Sequence, residues 1–309
     1  HATYFMNENG QFTDLTDEYE ISEIGARGLV AGDFDNNGYP DILKWRYDNH
    51  DPHEILLNFG SHQFESIEYL EDDEHPRMHS EGILDYDLDG DLDFISISDT
   101  GDVQFFLYEN VGLDNFWHPQ FELVFSYGDY DSSSSRTLAI ADYDDDGDQD
   151  IFVVRKYSKN WLMRNETITQ NGDEIIYNDN EDNHFTEVSS SIGLTDTDVS
   201  VYGSMGYGAA WGDYDNDQDF DLYLTNWGEN RLFRNEDNIF VNVADEQNLE
   251  SDELSNGTSW GDYNNDGLLD LWASSIRNPD DVYINLGDGT WDTTSSPQFL
   301  SGTQDVISG

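Results

Sequence analysis

The chain contains no cysteine, so no disulfide can hold it together, and cysteine usage says nothing about its redox compartment. No apolar run approaches the roughly 18 residues that a membrane-spanning helix needs. Basic side chains are scarce: 12 Lys and Arg stand against 67 Asp and Glu, a formal net charge of −55, and only Lys44, Lys156 and Lys159 are lysines. A field of that sign repels nucleic acid and anionic lipid, so neither nucleic acid nor membrane insertion is expected. The chain begins at His1 with no visible signal peptide, which reads as a processed or trimmed terminus. Disorder is not expected either, because aromatics make up 14% of the residues and acidic disordered tails are aromatic-poor.

What the sequence does have is a repeat. The pattern Asp-x-Asp/Asn-x-Asp/Asn-Gly-x-x-Asp occurs as DFDNNGYPD from Asp33, DYDLDGDLD from Asp85, DYDDDGDQD from Asp142, DYDNDQDFD from Asp213 and DYNNDGLLD from Asp262. Loop starts lie 52, 57, 71 and 49 residues apart. A period near 50 marks a repeat architecture. A second landmark keeps step: Phe12, Phe64 and Phe121 each lie 21 residues before a loop, Phe240 lies 22 before and Phe185 lies 28 before.

Between landmarks the chain reads as short strands, β-branched or aromatic and bounded by Gly, Asn and Asp. Leu29-Val30-Ala31 enters the first loop, and Phe94–Ile97, Ile151–Val154 and Leu222–Leu224 leave later ones. A further strand is expected at Glu54–Asn58, Val103–Asn110, Asn160–Asn165, Arg231–Asn235 and Val282–Asn285, ending in an Asn-rich turn before the aromatic-led fourth strand. No stretch keeps a helical period. Four strands in roughly 50 residues make one propeller blade. The expected fold is therefore an all-β propeller of four-stranded blades with an ion-binding loop in each.

The expected organisation is one domain over 1–309: a half-blade at 1–20, loop-centred repeats starting near 21, 76, 132, 200 and 250, and a half-blade at 298–309. In the first half-blade, Tyr4-Phe5-Met6 and Phe12–Leu15 read as two strands; Gln304–Gly309 reads as a strand entering a sixth loop. Six blades are countable if the two halves complete each other. Seven follow if the natural chain continues, and an open half-blade can instead accept a strand from a neighbouring molecule.

The loops carry the chemistry. Ca²⁺ takes six to eight oxygens at about 2.3–2.6 Å. Positions 1, 3, 5, 7 and 9 supply Asp33, Asp35, Asn37, Tyr39 and Asp41 in the first loop, and Asp85, Asp87, Asp89, Asp91 and Asp93 in the second. The third offers Asp142, Asp144, Asp146, Asp148 and Asp150; the fourth Asp213, Asp215, Asp217, Asp219 and Asp221; the fifth Asp262, Asn264, Asp266, Leu268 and Asp270. Position 7 needs only its backbone carbonyl, and Gly at position 6 permits the sharp turn. About five Ca²⁺ ions are expected. An EF-hand is excluded, since it requires Glu at position 12, where this chain has Lys44, Ser96, Val153, Leu224 and Ala273, and its flanks are helices.

With these residues in view, the chain resembles the FG-GAP or VCBS repeats of integrin-α-type propellers. The stretch from Tyr207 through Trp211-Gly212-Asp213 to Asp217, running on to Leu222–Asn226, is similar to the cartilage-acidic-protein branch found with ASPIC/UnbV domains. The resemblance implies Ca²⁺ within each blade and a secreted or cell-surface protein that adheres or recognises. Three departures stand out: Gln218 replaces the loop glycine, Asn264 softens the fifth site, and that branch's companion C-terminal domain is absent.

Calcium does not account for all the charge. The five loops hold 22 of the 67 acidic residues, and five ions offset only ten charges, so the remaining 45 suggest salt adaptation or further cation binding. Elsewhere the plain reading is preferred. His1 reads as a processing scar rather than half of a copper site, and the pairs His50/His53 and His75/His79 as solvent-facing loop histidines. Trp45, Trp161, Trp211, Trp227, Trp260 and Trp272 read as blade packing before sugar stacking. Asn165-Glu166-Thr167 and Asn256-Gly257-Thr258 fit the glycosylation acceptor pattern, which is short and common.

No nucleophile elbow, phosphate loop or zinc-spaced His/Glu pair is present. The expected function is a non-catalytic, extracellular recognition or adhesion module for a glycan or protein, presenting loops 111–119, 126–135, 165–184 and 195–207. The alternatives are a subunit of an extracellular filament or coat joined through its open half-blade, and a carbohydrate-active lyase or hydrolase.

Overall fold

The computed structural model describes residues 5–8, 10–14, 28–45, 53–60, 64–70, 78–129, 134–171, 174–177, 184–194, 205–249, 254–277 and 279–293. It is all-β, with five four-stranded antiparallel sheets in which each strand pairs with its neighbour in sequence, save for one inserted hairpin in the third. Sheet 1 comprises Gly28–Gly32, Asp41–Trp45, His53–Asn58 and Phe64–Leu70. Sheet 2 comprises Met78–Leu84, Asp93–Ser98, Phe105–Leu113 and Pro119–Tyr127. Sheet 3 is Ser134–Ala141, Asp150–Lys156, Trp161–Asn165 and Phe185–Glu187, with a separate hairpin of Ile168–Asn171 and Glu174–Tyr177 inserted before its last strand. Sheet 4 is Gly206–Gly212, Asp221–Asn226, Arg231–Glu236 and Ile239–Asn242; sheet 5 is Ser255–Gly261, Asp270–Ser275, Asp281–Asn285 and Trp291–Asp292. These are the blades of the propeller fold class.

The chain divides into two compact units, His1–Tyr130 and Asp131–Gly309. The first holds sheets 1 and 2 and a hairpin of Phe5–Glu8 with Gln11–Asp14, matching the two strands expected at that end. The second holds sheets 3 to 5. The strand expected at 304–309 lies outside the described residues. The single helix among the described residues is one turn, Ala244–Gln247, closed by Asn248 at φ 55°. Four residues are too few to impose a helical period on the sequence.

Each core is a layer between consecutive sheets. Leu43, Ile55, Leu57, Phe94, Phe106 and Tyr108 join sheets 1 and 2. Phe152, Val154 and Leu162 meet Leu222, Leu224 and Phe233 between sheets 3 and 4, and Tyr223 and Leu232 meet Leu271, Ala273 and Tyr283 between sheets 4 and 5. Second strands are covered on both faces: every residue of Asp93–Ser98 and Asp221–Asn226 is buried. That explains why they read as continuous apolar runs rather than as an alternation.

The in-phase aromatics are part of this packing. Phe121 of sheet 2 meets Phe34 of the sheet 1 loop edge-on at 5.9 Å, and Phe240 of sheet 4 lies 5.9 Å from Tyr143 of the sheet 3 loop. Trp291 of sheet 5 lies 6.0 Å from Tyr214 of the sheet 4 loop. The tryptophans staple the same seams. Trp211 donates its indole N–H to the Ala139 carbonyl and Trp260 to the Ala210 carbonyl, both at 3.1 Å, while Trp161 and Trp45 are buried. A Cβ built on Gly212 would lie 2.7 Å from the Trp260 ring, so the residue before the fourth loop has no room for a side chain.

One expectation needs correction. His53 is not in a solvent-facing loop but opens the buried third strand of sheet 1, with Nδ1 3.3 Å from Glu81; His79 likewise sits on a strand, while His50 and His75 lie outside the described residues. Asn165 is 1% exposed, and its side-chain oxygen accepts the Thr167 N–H, so the folded chain cannot present it to a glycosylating enzyme.

Candidate metal centres in the loops

All five loops adopt one conformation, set by their own side chains. The position 1 carboxylate accepts the backbone N–H of position 6 in every loop, from 2.8 Å (Asp33 with Gly38) to 3.2 Å (Asp213 with Gln218). The position 5 side chain accepts the N–H of position 7 in every loop, at 2.8–3.2 Å. Such Asx turns are why Asp and Asn sit at these places. Two backbone positions are left-handed. Position 4 is Asn36, Leu88, Asp145, Asn216 or Asn265 at φ 54–62°, and position 6 is glycine at φ 88–104° in four loops. Gln218 takes φ 83° in the fourth loop, so the missing glycine strains the turn without changing it.

Position 9 has a role that spacing alone did not reveal. Asp41, Asp93, Asp150, Asp221 and Asp270 are at most 1% exposed. In each, Oδ2 accepts the N–H of position 2 and Oδ1 accepts the N–H of an asparagine in the later half of the third strand: Asn58, Asn110, Asn165, Asn235 or Asn285. All ten bonds are 2.7–3.3 Å. Position 9 thus clamps loop to sheet, and each oxygen keeps a lone pair for a cation. The asparagines extend the clamp across sheets. Asn110 Nδ2 donates to the Phe34 carbonyl at 3.0 Å, Asn235 to Tyr143 at 3.1 Å and Asn285 to Tyr214 at 2.8 Å. Their signal was in the sequence, as one Asn closing each expected third strand, but it read only as turn composition.

The carboxylates converge. Oxygens of Asp33, Asp35 and Asp41 lie within 4.8 Å of one another, as do those of Asp85, Asp87 and Asp93, of Asp142, Asp144 and Asp146, and of Asp213, Asp215 and Asp221. The Asp262 loop, with Asn264 at position 3, forms no such carboxylate trio among the described residues. Asn37 and Asn264 direct their amide nitrogens to Asp35 Oδ2 (3.0 Å) and Asp266 Oδ2 (2.9 Å). At position 7, Asp148 is fully buried and its Oδ2 accepts the Ile168 N–H at 2.6 Å, so its side chain ties down the inserted hairpin.

These cages are short of positive charge. Buried Asp85 Oδ1, Asp144 Oδ1, Asp148 Oδ1 and Asp219 Oδ1 have no hydrogen-bond partner. Burial raises the acids: Asp87 and Asp144 to about 6, Asp219 to about 7, Asp93, Asp148 and Asp221 to about 8, and Asp150 well above its ordinary value. Neighbouring carboxylates add to the rise, and backbone N–H donors only partly offset it. Oxygen-only donors, convergent and under-satisfied, fit a hard divalent cation such as Ca²⁺. Positions 1, 3, 5 and 9, with the position 7 carbonyl, are the residues that would hold it. The ion's contribution would be structural, neutralising buried charge at the root of each blade.

The surroundings differ from loop to loop. The third-strand residue beside position 9 is Leu57, Glu109, Arg164, Arg234 or Ile284. Glu109 accepts the Tyr86 hydroxyl at 2.9 Å and raises Asp87, whereas Arg164 and Arg234 oppose the rise at Asp144 and Asp215.

The loops and the sheets they close define the class: an all-β protein built of blades, with a carboxylate cage in the turn between first and second strands. Residues 85–153 and 213–273 match the family model of the FG-GAP-like repeat. No curated protein matches the sequence. Among solved structures, the chain is similar to an Agrocybe aegerita lectin described for specific recognition of non-reducing terminal N-acetylglucosamine. Identity is 15%, coverage is 89% of this chain and 67% of that one, and the TM-score is 0.55. A chain from a crystal structure of BBS1N in complex with ARL6DN, soaked with lead, matches at 8% identity over 88% of this chain and 70% of that one, with a TM-score of 0.44. The first likeness shows the fold.

Among the described residues no helix is long and apolar enough to cross a membrane. Of the loops expected to present contacts, 111–119 is fully described. Phe116 and Trp117 at its tip are 74% and 71% exposed, with Asp114 Oδ1 accepting the N–H groups of Phe116 and His118. Loops 126–135, 165–184 and 195–207 lie partly outside the described residues.

Proposed function

We propose that the chain is an extracellular, calcium-loaded recognition module of the adhesion type, which binds a glycan or a protein and carries out no chemistry of its own. The observation that carries this reading is the same carboxylate cage recurring at the base of successive sheets. The carboxylates are committed to holding the scaffold and not arranged around a reacting group. FG-GAP-like repeats and a fold shared with a lectin support recognition over turnover. Ions at the loops would keep the sheets rigid, and exposed side chains such as Phe116 and Trp117 would make the contacts. An array of glycans and extracellular matrix proteins, probed with Ca²⁺ and again with EDTA, tests it. Retention of a defined set of ligands that EDTA abolishes is expected. Release of cleaved oligosaccharide from any of them, or no retention on the whole array, would overturn it.

A further inference from the structure

The second unit carries a small cationic and aromatic site that the loops do not explain. It lies where second strands end, at the opposite end of the sheets from the cages. Lys156, the last residue of its strand, places Nζ 4.7 Å from the Tyr157 ring centre, 5.2 Å from Trp227 and 5.6 Å from Tyr207. Tyr207 and Trp227 stack on each other at 4.7 Å and 13°, and the Arg136 guanidinium lies 5.8 Å over Tyr207. The backbone beneath is fixed. Lys156 bridges to Met205, Trp227 N–H donates to the Met205 carbonyl at 3.0 Å, and Trp227 bridges to Leu254. The Trp227 indole donates to Asn256 Oδ1 at 3.4 Å.

Two features mark it as more than packing. Among the described residues Lys156 makes no ion pair, in a chain where acidic side chains outnumber basic ones 67 to 12. Tyr157 is 57% exposed and holds φ 70°, a left-handed backbone that a bulky side chain adopts only under constraint. A lysine held over aromatic faces keeps three N–H donors for an incoming acceptor. An exposed ring beside it offers a flat, electron-rich face to weakly positive C–H groups. One ligand chemistry uses both at once: a pyranose ring bearing a carboxylate.

We infer that Arg136, Lys156, Tyr157, Tyr207 and Trp227 form a subsite for a uronate sugar, the ring resting on Tyr157 and the carboxylate meeting Lys156 and Arg136. This inference rests on the recognition reading and gives that reading its ligand class. The remaining acidic surface disfavours long polyanions, and its field is screened within about 8 Å at physiological salt. Short uronate oligosaccharides are the fitting occupant.

The test is calorimetric binding in Ca²⁺ at about 0.15 M salt, using a galacturonate hexamer, the same hexamer with its carboxylates reduced to alcohols, and a hexaglutamate peptide. The galacturonate hexamer is expected to bind at least about tenfold more tightly than either of the others. Lys156→Gln and Tyr157→Ala should each weaken it by about tenfold, while Leu123→Ala, at an exposed strand position of the other unit, should leave it unchanged. Thermal melts confirm that each variant folds; if Lys156→Gln does not, the solvent-exposed Tyr157→Ala carries the test. Equal binding of the acidic and reduced hexamers, equal binding of the peptide, or indifference to both variants would overturn the inference. If neither hexamer binds while other array ligands do, the subsite falls and the recognition reading stands. If nothing on the array binds, both fall.

Discussion

The loop beginning at Asp85 and the loop beginning at Asp213 share the turn built on positions 1, 5 and 7, the left-handed residue at position 4 and the position 9 clamp, yet they sit in opposite electrostatic settings. Beside the first stands Glu109, which accepts the Tyr86 hydroxyl and raises Asp87. Beside the second stands Arg234, paired with Glu236 and opposing the rise at Asp215. The first has Gly90 at position 6 and the second has Gln218. Backbone shape is therefore dictated inside the nine residues, whereas the charge that faces the carboxylates is set by the neighbouring strand. Two turns that look alike in sequence need not load alike.

The most drastic way to break the comparison is to empty both loops. A site exposed to Ca²⁺ at 100 times its dissociation constant gains about 2.7 kcal/mol, and several such sites rival a typical total stability of about 5–15 kcal/mol. EDTA should lower the melting midpoint by about 10 °C or more at pH 8. The pH dependence has a definite sign. Asp93 and Asp221 rise to about 8 and Asp87 to about 6, above the ordinary 3.8, so the folded metal-free chain holds protons more tightly than the unfolded one. The proton-linked stability is full below pH of about 4 and is lost as pH climbs through about 6–8. The gap between Ca²⁺ and EDTA melts should widen from pH 5 to pH 8. A constant gap, or none, would show that the cages do not depend on an ion.

Next in size is the clamp. Asp93→Ala and Asp221→Ala each leave two buried N–H groups without acceptors, at about 1–3 kcal/mol apiece. The loss should be similar in the two loops and should persist in EDTA, because these bonds are to the backbone and not to the ion. Urea unfolding in EDTA measures it. A variant whose stability falls only when Ca²⁺ is present would assign position 9 to the metal alone.

Much of this was legible in the sequence, and the limits have physical reasons. The period, the third strands and the aromatic landmarks could be read because strands, turns and acidic ligands obey local rules: Ile151–Val154 announces a buried strand whatever surrounds it. The contrast between Glu109 and Arg234 could not, since each acts on a loop some twenty residues away in sequence through strand register, and nothing local marks a charge as facing a cage. Asn110 and Asn235 reach carbonyls 76 and 92 residues distant. His53 read as a loop residue because it follows Asp51-Pro52, while the burial that defines it comes from Tyr69 and Glu81 on other strands.

The charge contrast itself can be sharpened by neutralising both neighbours. Glu109→Gln keeps a group able to accept the Tyr86 hydroxyl and removes one negative charge; Arg234→Gln removes one positive charge. At a near-surface effective dielectric each change is worth about 1 kcal/mol, roughly fivefold in affinity. Calorimetric Ca²⁺ titration of stripped protein should show one site weakening in the first variant and one tightening in the second. Shifts of the same sign would mean that the neighbours act through packing.

The smallest effect isolates backbone from charge. Gln218 at φ 83° occupies a region that disfavours a residue with a Cβ by about 1–2 kcal/mol. Gln218→Gly relieves that strain but gives the unfolded chain more freedom, which returns about 0.5–1 kcal/mol. The net gain should be about 0.5 kcal/mol, visible as a small rise in urea midpoint. The reverse exchange, Gly90→Gln, should lose a similar amount, because a Cβ at Gly90 meets nothing within 4 Å and only the backbone can object. Neither change adds or removes charge, so neither should move Ca²⁺ affinity as far as the strand substitutions do. If Gln218→Gly tightens its site more than Arg234→Gln does, turn strain and not the adjacent strand governs loading, and the two loops differ for a reason internal to their nine residues.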